Sequence, residues 1–185
     1  MAAVALYGGA FDPPHNGHVA VAAAARERFG VPLMVLVSEA PGHKDVHLPA
    51  ETRLELAQAA FPGDTVRLDP YPRTIDLLRG ERFDDPLFVV GADEFCDFLD
   101  WKEPDGVLDL ARLAVATRPG FPSERLDAVL GALARPDRVL FFDIEPNPAA
   151  SRDARARAAA GGRLDDLVPP AVARLIAERG LYAGI

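Results

Sequence analysis

Two histidines, His15 and His18, separated only by Asn16 and Gly17, follow directly on the run Gly8-Gly9-Ala10-Phe11-Asp12-Pro13-Pro14. Paired glycines let a backbone approach a ligand closely, and the helical pattern that follows opens with N–H groups that suit a phosphate. With no bulky side chain between them, both imidazoles can face one phosphate from the loop and the first helical turn. This combination fits nucleotidyl transfer. An attacking phosphate oxygen is already an anion and needs neither a protein nucleophile nor a strong base. The task left is alignment and stabilisation of charge at phosphorus as pyrophosphate leaves, which imidazole N–H donors and a Mg²⁺ held mainly by the nucleotide's own phosphates can supply. A lone Gly-Gly or a lone histidine pair reads more economically as a turn and two surface or core side chains. Here the turn, the strand pattern before it, the helix pattern after it and both histidines coincide. No third and fourth ligand stands near His15 and His18, so no protein metal site is assigned.

The elements that must position these residues follow from hydrophobic patterning. Short apolar runs at Val4-Ala5-Leu6-Tyr7, Leu33 to Val37, Leu87 to Val90, Leu113 to Ala116 and Val139 to Phe142 lack polar alternation, as strands covered on both faces do. Helix-length segments lie between them. His18 to Phe29 ends at Gly30, Ala50 to Phe61 begins after Pro49, and Ser123 is placed as the N-cap of a helix from Glu124 to Ala134. Alternating strands and helices imply an α/β, Rossmann-like open and mainly parallel sheet with helices on both faces. The tail, Ala149 to Gly162 and the stretch from Val168-Pro169-Pro170 to Arg179, reads as C-terminal helices packed on the sheet. Ligands in such folds bind beyond the carboxyl ends of strands. Gly8-Gly9, Ser38, Gly91-Ala92-Asp93 and Thr117-Arg118 all follow strand patterns and are expected to converge there.

The 185 residues, 49% hydrophobic and 26% charged, have the size and composition of a single domain spanning 1–185. One cysteine, Cys96, permits neither an internal disulfide nor a zinc cluster, and points to a reducing, cytoplasmic setting. The first residues lack a basic segment followed by an apolar core, and no apolar run approaches membrane-spanning length, so neither export nor a membrane partner is expected. A net charge of −8 argues against nucleic acid as a partner. An anionic substrate then requires cations gathered locally.

Taken with these residues, the chain resembles the nicotinate mononucleotide adenylyltransferases, nucleotidyltransferases with a Gly-Gly-x-Phe-Asp-Pro-x-His-x-Gly-His signature. Similar segments run through Pro41-Gly42-His43-Lys44, Arg53-Leu54-Glu55-Leu56, Thr74-Ile75-Asp76, Gly91-Ala92-Asp93, Trp101-Lys102, Arg118-Pro119-Gly120-Phe121 and Val168 to Val172, ending in Gly180-Leu181-Tyr182. The resemblance implies adenylyl transfer from ATP to nicotinate mononucleotide in NAD biosynthesis, with His15 and His18 catalytic. It implies that Gly8, Gly9, Ala10, Phe11, His15, His18, Ser151, Arg152 and Arg155 bind ATP, and that Lys44, Thr74, Asp93, Trp101, Lys102 and Arg118 bind the mononucleotide. Trp101 would stack on the pyridinium, for which an indole face is a good platform. For Asp93 a ribose contact and a helix N-cap stand open, and for Arg118 an anion contact and a solvated loop.

The family's C-terminal ATP motif, Ser-Ser/Thr-Thr-x-Ile-Arg, is replaced by Ala150-Ser151-Arg152-Asp153-Ala154-Arg155, so hydroxyl donors give way in part to a guanidinium. Arg73 stands where the family often has Tyr, and Leu77 where it often has Thr. Two rival readings stay open. One is a sister enzyme with another phosphorylated acceptor, such as phosphopantetheine, or a cytidylyltransferase. The other is a domain that binds nucleotide without turnover.

Overall fold

A computed structural model describes residues 4–42 and 46–184. Its six strands are β1 (Ala5–Gly9), β2 (Leu33–Ser38), β3 (Thr65–Asp69), β4 (Leu87–Gly91), β5 (Arg112–Thr117) and β6 (Val139–Asp143). All pair in parallel, in the order β3-β2-β1-β4-β5-β6. The helices are α1 (Asn16–Phe29), α2 (Ala50–Ala60), α3 (Thr74–Gly80), α4 (Ala92–Cys96), α5 (Pro104–Leu110), α6 (Ser123–Ala132), α7 (Ser151–Ala159) and α8 (Pro170–Arg179).

Alternate side chains of each strand go to opposite faces. Ala5, Tyr7, Val35, Val37, Leu87, Val89 and Ala114 join one core with residues of α1, α2, α7 and α8. Leu6, Leu36, Phe88, Val90, Leu113 and Val115 join a second core with residues of α3, α4, α5 and α6. Burial on both faces is why the strands read as continuous apolar runs. The strand order reverses between β1 and β4, and that point is where a doubly wound sheet opens a crevice.

Two expectations are corrected. β3, of sequence TVRLD, has no apolar run; it is an edge strand, partly exposed along its length, and its polar residues concealed it. Ser123 does not cap α6: Pro122 holds the cap position, without a side-chain hydrogen bond, and Ser123 is the first helical residue. The C-terminal helices pack as expected: Ala154 of α7 and Val172 and Ile176 of α8 join the first core with the strand residues, and α8 also lies against α2, with Arg179 bonded to Glu55. Gly30 ends α1 as expected, in the left-handed region at φ 63°.

Candidate active site

The turn from β1 into α1 owes its shape to three side chains. Phe11, at φ 50°, turns its ring into the core, 1% exposed, against Tyr7, Phe61 and His18. A Cβ at Gly9 would meet that ring at 2.9 Å, so Gly9 is glycine because Phe11 lies beneath it. Phe11 thus supports the loop from below. His15 is the N-cap of α1: its Nδ1 accepts the Gly17 N–H at 3.1 Å, while the His15 N–H donates to His18 Nδ1 at 3.1 Å. This is a capping box built from two imidazoles, in place of the usual Ser/Thr and Glu/Gln. Gly17 belongs to it, since a Cβ there would lie 2.9 Å from two His15 ring atoms.

The box fixes the chemistry of the pair. With both Nδ1 atoms accepting, each neutral imidazole carries its proton on Nε2. The rings lie face to face, centroids 3.7 Å apart and tilted by 32°. Burial lowers the His15 pKa to about 4, so His15 stays neutral at physiological pH. His15 is therefore a hydrogen-bond donor and not a fixed cation.

The loop bearing them is tied down from several elements. Arg53 of α2, 1% exposed, donates to the carbonyls of Ala10 (2.7 Å), Ser38 (2.8 Å), Glu39 (3.1 Å) and Leu48 (3.1 Å). Burial lowers its pKa, with Asp12 acting in the opposite sense. From α7, Arg155 donates to the Asp12 carbonyl at 2.6 Å and the Ser151 hydroxyl to the Pro13 carbonyl at 2.8 Å. The Asn16 N–H donates to the Leu167 carbonyl at 2.9 Å. Arg53 stood in a family-like segment but was given no role. A cation on the same face of α2 as Leu56, Ala57 and Ala60 was the available signal.

At the switch point lies a crevice of about 640 Å³. Gly8, Gly9, Ala10, Thr74, Trp101 and Lys102 line it, so six of the expected residues, taken from both the ATP and the mononucleotide sets, meet there. Trp101 is held edge-on by Phe88 and Phe98, at centroid distances of 6.1 and 5.2 Å. Lys102 Nζ is 3.1 Å from Asp76 of α3. Arg73, Asp69, Glu94, Asp97 and Asp100 also line the crevice, and burial raises the Asp69 pKa.

The remaining expected residues lie elsewhere. Asp93 is in the first turn of α4, 74% exposed, with Gly91 at the cap, so the N-cap alternative is not realised. Its oxygens are 3.9 Å from Arg118 and 3.8 Å from Arg125. Arg152 opens α7 fully outward, 85% exposed, with Asp153 at 3.6 Å. Lys44 falls outside the described residues. The local gathering of cations expected from His15, His18, Lys44, Arg118, Arg152 and Arg155 is not found in the crevice: none of the described five lines it. Among the described residues no group of three or more His, Cys, Asp or Glu could hold a metal ion, and no helix is long and apolar enough to cross a membrane.

A parallel sheet in this order, with a glycine turn leading into a histidine-capped helix at its switch point, defines a Rossmann-like nucleotide-binding protein. Residues 6–157 match the cytidylyltransferase-like family model. The probable nicotinate-nucleotide adenylyltransferase of Rubrobacter xylanophilus is 34% identical over 198 residues, covering 97% of this chain and 91% of that one. Its namesake in Thermus thermophilus is 35% identical, covering 97% and 98%. The Plasmodium falciparum nicotinic acid mononucleotide adenylyltransferase complexed with NaAD shares the fold at a TM-score of 0.72 and 17% identity, over 98% of both chains. The chain belongs to the cytidylyltransferase-like family and, within it, to the nicotinate-nucleotide adenylyltransferases.

Proposed function

We infer that this protein joins ATP to nicotinate mononucleotide, releasing pyrophosphate and forming nicotinate adenine dinucleotide in NAD biosynthesis. The observation that carries the reading is the imidazole capping box, which presents two neutral Nε2–H donors at the start of α1, beside a crevice with an edge-supported indole. The names borne by the relatives above point the same way.

A phosphate oxygen of the mononucleotide attacks the α-phosphorus of ATP. The bond from that phosphorus to the bridging oxygen breaks, and pyrophosphate leaves with the electron pair. No proton has to be moved. The donors of His15 and His18 stabilise charge on the phosphoryl oxygens, and Gly8, Gly9 and Ala10 let the nucleotide lie against the backbone. Trp101 and Thr74 enclose the pyridine ring, and Lys102 is held at its side by Asp76. Ser151 and Arg155 serve ATP through the carbonyls they hold, and Arg152 is the exposed cation left to meet its phosphates. Lys44, Asp93 and Arg118 complete the acceptor side in this reading. Mg²⁺ bound mainly through the ATP phosphates would neutralise part of their charge.

The test is pyrophosphate release from purified protein with ATP, Mg²⁺ and a panel of acceptors. Turnover with nicotinate mononucleotide is expected, and His18→Ala should lower it by roughly 10²- to 10³-fold, the scale for one preorganised donor. Turnover only with phosphopantetheine or with CTP would move the chain to a sister reaction, and binding without turnover would make it a sensor.

A further inference from the structure

No step above uses the carboxylate of Asp12, yet it is among the most enclosed charges in the structure, 3% exposed. Its Oδ2 accepts the His47 backbone N–H at 2.5 Å, and its Oδ1 accepts the Tyr182 hydroxyl at 2.8 Å. Tyr182 is 170 residues away along the chain, itself 3% exposed, and holds φ 65°. A bulky residue occupies that left-handed region only where its surroundings over-determine it. The chain terminus has thus been turned against its own preference to bring one hydroxyl beneath the β1–α1 loop.

We propose that Tyr182 and Asp12 are positioning residues for the two histidines, which makes the C-terminal segment part of the catalytic apparatus. Asp12 lies between a residue that packs on an imidazole and one held by α7. Phe11, before it, packs its ring 5.0 Å from that of His18, and Pro13, after it, gives its carbonyl to Ser151. The Asp12 carbonyl is also the one that Arg155 holds. Fixing both carboxylate oxygens fixes the orientation of this peptide, and with it the path of the chain into the N-cap at His15. Desolvation by burial, then the Asp12 charge, keep the Tyr182 phenol protonated well beyond its ordinary range, so the donor is present at every working pH. Without the hydroxyl, Asp12 Oδ1 would be a buried acceptor that has lost its donor among the described residues, and would turn to find another.

The kinetic arm of the test rests on the adenylyl-transfer reading; the spectroscopic arm does not. In Tyr182→Phe, kcat should fall about tenfold, the scale of a sub-ångström misplacement of catalytic groups, with both KM values nearly unchanged. Long-range ¹H–¹⁵N spectra of the unliganded protein should show Nε2–H tautomers for His15 and His18 in the wild type, and an altered, averaged pattern in the variant. Arg179→Ala, which releases the tail from Glu55 without touching Asp12, is the control and should leave kcat and the imidazole signals alone. Unchanged imidazole signals in folded Tyr182→Phe overturn the proposal. So does an Arg179→Ala variant with the same defect, or a loss of kcat that follows melting temperature and disappears on cooling, because each reduces Tyr182 to an anchor of the fold. Loss of turnover in the wild type with intact tautomers would count against adenylyl transfer alone.

Discussion

His15 and His18 were legible as a pair because their spacing, the glycines before them and the helix after them all agreed. Their roles as mutual caps were not, since capping by imidazole depends on ring rotation that residue type does not reveal. The pair makes a pH prediction. His15 titrates near pH 4 when folded and near 6.5 when unfolded, so between these values the unfolded chain binds more protons. Its contribution to stability is whole above about pH 6.5 and is lost progressively as pH falls toward 4. Melting temperature should decline across that window, and less steeply in His15→Gln, which cannot take up a proton; equal slopes would show that His15 is not buried as described. Gly17 gives a second prediction. Alanine favours a helix by up to about 1 kcal/mol over glycine, yet its Cβ would lie 2.9 Å from the His15 ring. The ring is the part able to move, so Gly17→Ala should fold normally while kcat falls by about ten- to a hundredfold through displacement of His15. Calorimetry and steady-state kinetics should therefore diverge.

Among the elements, five strands were readable from their apolar runs, β6 at the other edge of the sheet included, and β3 was not, because its partly exposed residues include Thr65, Arg67 and Asp69 and form no such run. Nor does a sequence that shows a helix with one cation show the four carbonyls around Arg53, one from the β1–α1 turn and three from the end of β2 and the connection to α2. In α7 the altered motif has divided its duties. Ser151 and Arg155 bond to the loop carbonyls, whereas Arg152 stands exposed beside Asp153. Arg152→Ala should accordingly raise the KM for ATP and leave that for the mononucleotide nearly unchanged. A charge-assisted phosphate contact is worth about 1.5–3 kcal/mol in full, and an exposed side chain should fall at or below the lower end, near tenfold in kcat/KM for ATP. Arg157, already engaged with Asp166, is the control. Equal and negligible effects of the two substitutions would leave the missing hydroxyls uncompensated.

At the scale of the whole molecule, the doubly wound fold followed from strand and helix alternation, and the switch point from that fold. The distribution of charge was not accessible, because sequence places a cation in a segment but not on one wall of a crevice. The net charge of −8 extends into the crevice: Asp69, Glu94, Asp97 and Asp100 line it against Arg73 and Lys102, and Lys102 is already paired with Asp76. His15 is neutral, Arg53 is spent on carbonyls, and Arg155 on one more. Among the described residues the lining charges thus offer an anionic mononucleotide little long-range attraction, and the reading proposed above leaves its recognition to short-range donors and ring stacking. A steered enzyme loses kcat/KM steeply as salt screens its field. Here kcat/KM for nicotinate mononucleotide should stay level or rise as ionic strength increases from about 0.01 to 0.15 M, where the Debye length shrinks from roughly 30 to 8 Å and the repulsion is screened. The measurement is initial rate at subsaturating mononucleotide and saturating ATP, with free Mg²⁺ held constant. A steep fall would sink this account and would direct attention to Lys44 as the cation that draws the substrate in.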